Sequence, residues 1–428
     1  MKTWFTSIKV KWWLAAAKRE QKRFPKALQL IQEVIEAQPE NALALVQAGH
    51  CLTKLERYNE AINSFEKALQ LAPGYAEAHA YLAVVYRQLG RNQEGLESLN
   101  RAFRIKPKLK LQAFWLFQLG SVCGRLGLWN DSFEAFHSQA KLNPKDASAW
   151  EGIGWACSAL GRDSEAVDAY LRAVRLNPGR ESIYSDLGLA YSRLKDFPGA
   201  VQSFRTYVEH RPNDPEGLCN LARAVAETGD YKESLSIVLG ATKLDPQNAN
   251  LRYNLGKAYS DLAMHDEAVA AFKEAIRMNP NDAGSHSRLA VSYAQMQKPA
   301  DAIDAAREGV RLAPRSADAY LCLGIALLSP ESYPDSADAF QKSLELDPNQ
   351  FEALADLGYV CLQLNRSDEA IKALDQSARI KPNDANVHFL LAECYFRIGK
   401  REDATREYEI VKRLDDALAQ ELSIRLTA

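Results

Sequence analysis

The sequence predicts an all-α solenoid of about twelve helical hairpins, and three observations predict it. Eleven of the 17 prolines stand on one lattice, Pro39, Pro73, Pro107, Pro144, Pro178, Pro212, Pro246, Pro280, Pro314, Pro348 and Pro382, with every gap 34 residues except one of 37 between Pro107 and Pro144. Apolar residues between the prolines recur at helical offsets of three and four. The eighth position of every unit is Gly or Ala: Ala15, Gly49, Ala83, Gly120, Gly154, Gly188, Ala222, Gly256, Ala290, Gly324, Gly358 and Ala392. A lattice of this kind is one supersecondary unit stacked along an axis, so 428 residues make one elongated array with no visible linker.

Within a unit, each element has its own warrant. In the block 249–282, Leu255, Gly256 and Tyr259 mark the first helix, and after a polar turn Ala268, Phe272 and Ala275 mark the second. Glycine inside a helix costs roughly 0.5–1 kcal/mol relative to alanine, so its recurrence at position 8 implies that two helices cross closely there. The residue before it is Leu or Ile in every unit but one, which has Ala48. Proline then ends the second helix, and the Asn or Asp that follows caps the next first helix. The 37-residue gap near Lys106, Lys108 and Lys110 reads as a longer turn, at about 107–113, and a flex point.

These residues resemble the tetratricopeptide repeat, whose period is 34 residues and whose signature is small, Ala, aromatic and Pro. The resemblance covers residues 8–418 and implies a right-handed superhelical solenoid of about twelve tetratricopeptide helical hairpins, with residues 1–7 as an N-terminal extension and 419–428 as a tail or cap. Several units depart from the pattern. Ser132, Ser234, Ser336 and Gly95 replace the second-helix alanine, Asp416 stands where the last proline is due, and Lys11 and Lys18 occupy usually apolar sites of the first unit.

Composition excludes several classes. Lys plus Arg total 53 against 55 Asp plus Glu, a formal net charge of −2, so a nucleic acid partner is not expected. No run of 18 apolar residues exists, and Lys9 and Lys11 interrupt the apolar start, so neither a membrane span nor a secretory signal is expected and the cytoplasm is the default location. The seven cysteines are scattered over different units with no C-x-x-C pair and read as small buried hydrophobes.

Catalytic templates fail in turn. His79, His286 and His388 occupy the fourth position of their units and read as packing residues. Gly152 and Gly154 lie inside a helix with no preceding strand, and no H-E-x-x-H, G-x-S-x-G or G-K-[ST] occurs. We expect no enzyme, no cofactor and no metal site.

Binding is the remaining role. The resemblance implies a concave groove lined by positions 2, 5, 6, 9, 12 and 13 of the first helices. In units seven to nine these positions place Asn220, Arg223, Tyr253, Asn254, Lys257 and Arg288, amides and cations suited to an extended backbone and to carboxylates. The set resembles part of a carboxylate clamp, with Cys219 and Gly284 where the clamp has lysines; a solvated polar lining is the alternative. Two further stretches are apolar: Phe114, Phe117 and Trp155, and then Leu321, Ile325 and Leu328 with Tyr359, Leu362, Phe389 and Phe396. The tail, with Leu422, Ile424 and Leu426, either caps this second stretch or leaves it to a helical partner or a second copy of the chain.

The expected function is a non-catalytic scaffold or adaptor that binds a protein or peptide partner, either an acidic segment or an amphipathic helix, with self-association open. Two alternatives stand beside it. Trp4, Phe5, Ile8, Trp12 and Trp13, interspersed with Lys2, Lys9 and Lys11, form an aromatic basic stretch that caps the first unit, anchors a membrane-peripheral assembly platform or binds a partner. A substrate-selecting adaptor for a partner enzyme is the other, although only Asn220 and Asn254 supply the position-6 asparagine of glycosyltransferase superhelices.

Overall fold

The computed structural model describes residues 22–427, with Ala15 and Lys18 ahead of them. The aromatic basic stretch at residues 1–13 lies outside the described residues. Every regular element among the described residues is helical. The chain divides into two compact bodies, one ending at Arg211 and one beginning at Pro212.

In the N-terminal body the helix Phe24–Ala37 precedes five hairpins: Ala42–Lys54 with Tyr58–Leu71, Ala76–Gln88 with Asn92–Ile105, Ala113–Arg125 with Trp129–Leu142, Ala147–Ala159 with Asp163–Leu176, and Glu181–Arg193 with Phe197–His210. The C-terminal body holds six: Pro215–Glu227 with Tyr231–Leu244, Ala249–Asp261 with His265–Met278, Ala283–Gln295 with Pro299–Leu312, Ala317–Ala326 with Tyr333–Leu346, Phe351–Gln363 with Ser367–Ile380, and Ala385–Arg397 with Arg401–Leu414. A last helix, Asp416–Thr427, follows.

The position-8 glycine exists because a large side chain lies on it, an aromatic ring in every case but Gly358, which meets Leu374. A Cβ added at Gly49 would come within 2.7 Å of the Phe65 ring, and one at Gly256 within 2.6 Å of Phe272. Phe65, Phe204, Phe272 and Phe340 are fully buried. The core is therefore a chain of small clusters, each shared by neighbouring helices, instead of one central mass.

Local rules fix the helix ends. Asn41, Asp146, Asp214, Asn248, Asp282 and Asp384, each two residues after a lattice proline, accept backbone N–H bonds at the start of the next first helix. In every described hairpin except that of the tenth repeat the turn uses a left-handed residue, supplied by Gly90, Gly127, Gly161, Gly229 and Gly399, and by Glu56, Lys195, Ala263, Gln297 and Asn365 in other repeats. The fourth position also has a backbone role. The side chains of His79, Trp150, Tyr184, His286 and His388 hydrogen-bond the carbonyls of Pro73, Pro144, Pro178, Pro280 and Pro382, six residues back.

At the 37-residue gap the chain forms a short 3-10 helix, Pro107–Leu111. Lys108, Lys110 and Leu111 are exposed there. Leu109 is buried against Phe103 and Trp115, so the insertion adds to the core as well as to the loop. In the tenth repeat the first helix stops at Ala326, and a second 3-10 turn, Pro330–Ser332, replaces the left-handed residue. All seven cysteines are free thiols; six are buried and Cys219 is half-buried.

Candidate interaction faces on the first helices

Repeats seven to nine place the polar set on three successive first helices. The Arg223 guanidinium donates to Asn220 Oδ1 at 2.9 Å. Asn254 donates from Nδ2 to the Asn250 carbonyl at 2.9 Å and to Cys219 Sγ of the preceding repeat at 3.5 Å. Burial pushes the Cys219 thiol up to about 11, so it stays neutral at pH 7. Both amide protons of Asn254 are thus engaged, and its Oδ1 is left to accept.

Arg223, Asn254 and Lys257 share one cleft with Cys219 and Asp261. Its volume is about 20 Å³, room for one water and not for a side chain. Asp261 is a groove residue that the sequence reading passed over. Burial raises its carboxyl pKa, with Lys257 and Arg288 pulling the other way and Glu227 adding to the rise. Lys257 and Arg288 therefore act on a carboxylate of the chain itself, which reduces the positive field offered to an acidic ligand. Tyr253 sits apart from the cleft: its ring tilts against Phe272 at 5.9 Å, and a Cβ on Gly284 would come within 3.5 Å of it.

The aromatic set of the N-terminal body is held by separate partners. Phe114 is exposed and meets Trp115 edge-on at 4.7 Å, whereas Phe117 is half-buried and meets Phe136 at 6.1 Å. Trp155 lies across the Gly124 backbone and meets Trp129 edge-on at 5.1 Å. Its exposed edge is one face of a packed ring, not a free side chain.

The C-terminal apolar set is divided between core and surface. Leu362 is fully buried, and Phe389 is buried beneath the last helix with Val411, Ala419 and Leu422, so neither is part of an exposed stripe. Leu321 and Ile325 are half-buried against the core that holds Leu354 and Leu357, and Phe396 is half-buried. Tyr359 stays open, its hydroxyl 3.5 Å from that of Tyr333, and this bond together with desolvation pushes the Tyr333 phenol up to about 12.

Tyr359 and Phe389 also border a cavity of about 530 Å³ formed by the first helices of the last two repeats and the C-terminal helix. Phe351, Glu352, Asp356 and Arg425 complete much of its wall. Burial, reinforced by the neighbouring Glu352 charge, pushes the Asp356 carboxyl up to about 6. The sequence carried a signal for it, because Asp356 occupies position 6 of its repeat, the position read for Asn220, Asn254 and Arg288. Glu393 pairs with Arg397 of its own helix at 2.7 Å and anchors the last helix by pairing with Arg425 at 3.2 Å, and Arg425 lies over the Phe389 ring at 5.0 Å.

Three family models described as tetratricopeptide repeat match the chain, one at residues 52–113 and 327–388, one at 118–181, 185–249 and 287–351, and one at 249–282. The chain belongs to the tetratricopeptide repeat family. One further model, anaphase-promoting complex, cyclosome, subunit 3, matches residues 9–68. Among curated proteins, the tetratricopeptide array is 25% identical over 133 residues to Protein O-mannosyl-transferase TMTC1 of Homo sapiens, which takes in 31% of this chain and 15% of that protein. It is 29% identical over 129 residues to Anaphase-promoting complex subunit 7 of Arabidopsis thaliana, or 30% of this chain and 22% of that protein. The chain thus matches less than a quarter of the length of either relative. Among solved structures, the crystal structure of the APC/C hetero-tetramer Cut9-Hcn1 aligns over 98% of this chain and 90% of that chain, with a TM-score of 0.53 and 14% identity, a likeness of fold.

Among the described residues no group of three or more His, Cys, Asp and Glu is placed to hold a metal ion. No described helix is long and apolar enough to cross a membrane.

Proposed function

We propose that this tetratricopeptide array is a non-catalytic protein-interaction scaffold that holds an extended segment of a partner protein along the first helices of repeats seven to nine. The observation that carries the reading is the setting of Asn254. Its amide protons are taken by Asn250 and Cys219, which leaves its oxygen to accept, and the residue lines one cleft with Arg223, Lys257 and Asp261. An oxygen so placed accepts a backbone N–H of the partner, while the cations meet its carboxylates.

The cleft volume of about 20 Å³ favours a strand laid across the rim over an inserted side chain. Similarity to a protein named as a subunit of the anaphase-promoting complex supports a place in an assembly. In this reading residues 8–418 form the scaffold, flanked by the extension 1–7 and the tail 419–428, and the seven free thiols fit a reducing compartment such as the cytoplasm.

The test compares pull-downs from native lysate by the wild-type chain and by a folded variant carrying Asn220→Ala, Asn254→Ala and Arg288→Glu, followed by titration of a segment from each retained protein. Loss of roughly 10–100-fold in affinity is expected for the variant, from about 1.5–3 kcal/mol of charge-assisted bonding. Equal affinity for both chains would move the partner away from this face.

A further inference from the structure

The cavity bordered by Phe351, Asp356, Tyr359 and Phe389 belongs to a different part of the chain from the polar cleft, and its chemistry has the opposite sign. Four carboxylates line it, those of Glu352, Asp356, Asp384 and Glu421, against the single guanidinium of Arg425. Three of the four are engaged. Glu352 pairs with Lys381 at 3.3 Å, Asp384 accepts the N–H bonds of Asn386 and Val387 at 3.1 and 3.2 Å, and Glu421 pairs with Arg425 at 2.7 Å. Asp356 has no partner among the described residues.

The aromatic wall repeats the same motif. Lys381 lies over the Phe351 ring at 3.7 Å and Arg425 over the Phe389 ring at 5.0 Å. Each of these rings thus carries a cation from the chain itself, with a carboxylate paired to that cation. Tyr359 and Asp356 lie one turn apart at i and i+3 on the same helix, and they present a ring and a carboxylate with the cation missing. An unpaired, largely desolvated carboxylate is unfavourable until a cation meets it.

We propose that this cavity is a second docking site whose occupant is a basic segment of a partner protein, with one Lys or Arg side chain seated between the Asp356 carboxylate and the Tyr359 ring. The volume of about 530 Å³ accommodates a long cationic side chain and the apolar residues beside it. The surplus of carboxylates sets the sign of the partner's charge. The inference rests on the reading of the chain as a scaffold for protein segments and adds a site of the opposite polarity.

The test titrates the full chain with three fluorescein-labelled probes of about twelve residues, followed by anisotropy. One alternates Arg and Lys with Leu and Ser, one carries Glu and Asp at the cationic positions, and one carries Gln there. The basic probe is expected to bind best, to weaken at least about tenfold on Asp356→Asn and several-fold on Tyr359→Leu, and to stay within about threefold on Asp356→Glu. Asp356→Asn removes an unpaired charge, so its fold is expected to survive, as far-UV circular dichroism would show.

Equal affinity of wild type and Asp356→Asn for the basic probe, no binding of that probe, or preference for the acidic or neutral probe would overturn the inference. If only the acidic probe binds, and binding needs Asn254 and Arg288, this site falls while the polar cleft stands. If the basic probe binds through Asp356 and the acidic one does not bind, the polar cleft falls instead.

Discussion

Ser336 donates its hydroxyl to the carbonyl of Gly324 at 2.8 Å, from the second helix of the tenth repeat to the first. Ser132 and Gly120 stand in the same relation at 2.8 Å, and Ser234 and Ala222 at 2.9 Å. The serines that depart from the family's alanine therefore share one job. Each sits twelve residues after the small position-8 residue, at a crossing tight enough for a side-chain hydroxyl to reach the facing backbone. A methylated or bulkier residue on the Gly324 side has no such room, because the Phe340 ring already occupies it.

Gly324→Ala is accordingly expected to destabilise the chain by roughly 1–3 kcal/mol, the usual range for overpacking, because the fully buried Phe340 has to move. Ser336→Ala is expected to cost at most about 1 kcal/mol, the net worth of one hydrogen bond, since alanine fits where the family normally has it. Urea denaturation of the two variants checks the ordering. A Gly324→Ala variant as stable as Ser336→Ala would mean that the crossing relaxes at little cost.

Ala263 has φ of 56°, a left-handed conformation that penalises a Cβ. Ala263→Gly is expected to stabilise the chain by about 0.5–1 kcal/mol, because relief of αL strain of about 1–2 kcal/mol exceeds the added unfolded-state entropy of glycine. The reverse change at Gly229, φ 89°, is expected to destabilise. Thermal unfolding of the pair decides it, and a lower midpoint for Ala263→Gly would contradict the strain argument.

The fold was legible because its determinants are periodic. Pro, the position-8 Gly or Ala, and the capping Asn or Asp each recur in one register, and each encodes a contact between neighbours in sequence. The left-handed turn residue was equally periodic but half concealed, since Glu56, Lys195 and Asn365 take the conformation that Gly90 and Gly127 take. The site was less legible. Which side of a first helix stays open depends on what lies across from it: the sequence left open whether the tail covers Phe389, and it put Asp261 four residues after Lys257 on one helix without saying that Arg288 of the next repeat also acts on that carboxylate.

Asp261 gives a directional test of the polar face. As the carboxylate on which Lys257 and Arg288 act, it opposes an acidic ligand, so Asp261→Asn is expected to tighten an acidic segment by about three- to tenfold, while Lys257→Ala weakens it. Isothermal titration at low and moderate salt measures both, and the gain should shrink as salt screens the exposed charges. Weaker binding by Asp261→Asn would show that this carboxylate orients the cations more than it competes with the ligand.

Asp356 links the second site to stability. Its folded pKa, about 6, lies above the ordinary value of 3.8. Between these values the native state binds more protons than the unfolded state, so the contribution of Asp356 to stability falls as pH rises from about 4 to 6 and stays low above that. The groups around it are Glu352, Asp384, Glu421, Arg425 and Tyr359, with Lys381 paired to Glu352; the wild-type pH profile contains their titration too. The difference between wild type and Asp356→Asn isolates the one carboxyl. The variant is expected to be more stable than wild type at pH 7.5 by about 1–3 kcal/mol, with the gap narrowing toward pH 4.5. A bound basic segment reverses the order at pH 7.5, because the cation pairs with the carboxylate and not with the amide. Denaturation curves with and without the basic probe distinguish an ionised carboxylate awaiting a cation from one that is merely buried: the order inverts on adding the probe in the first case and holds in the second.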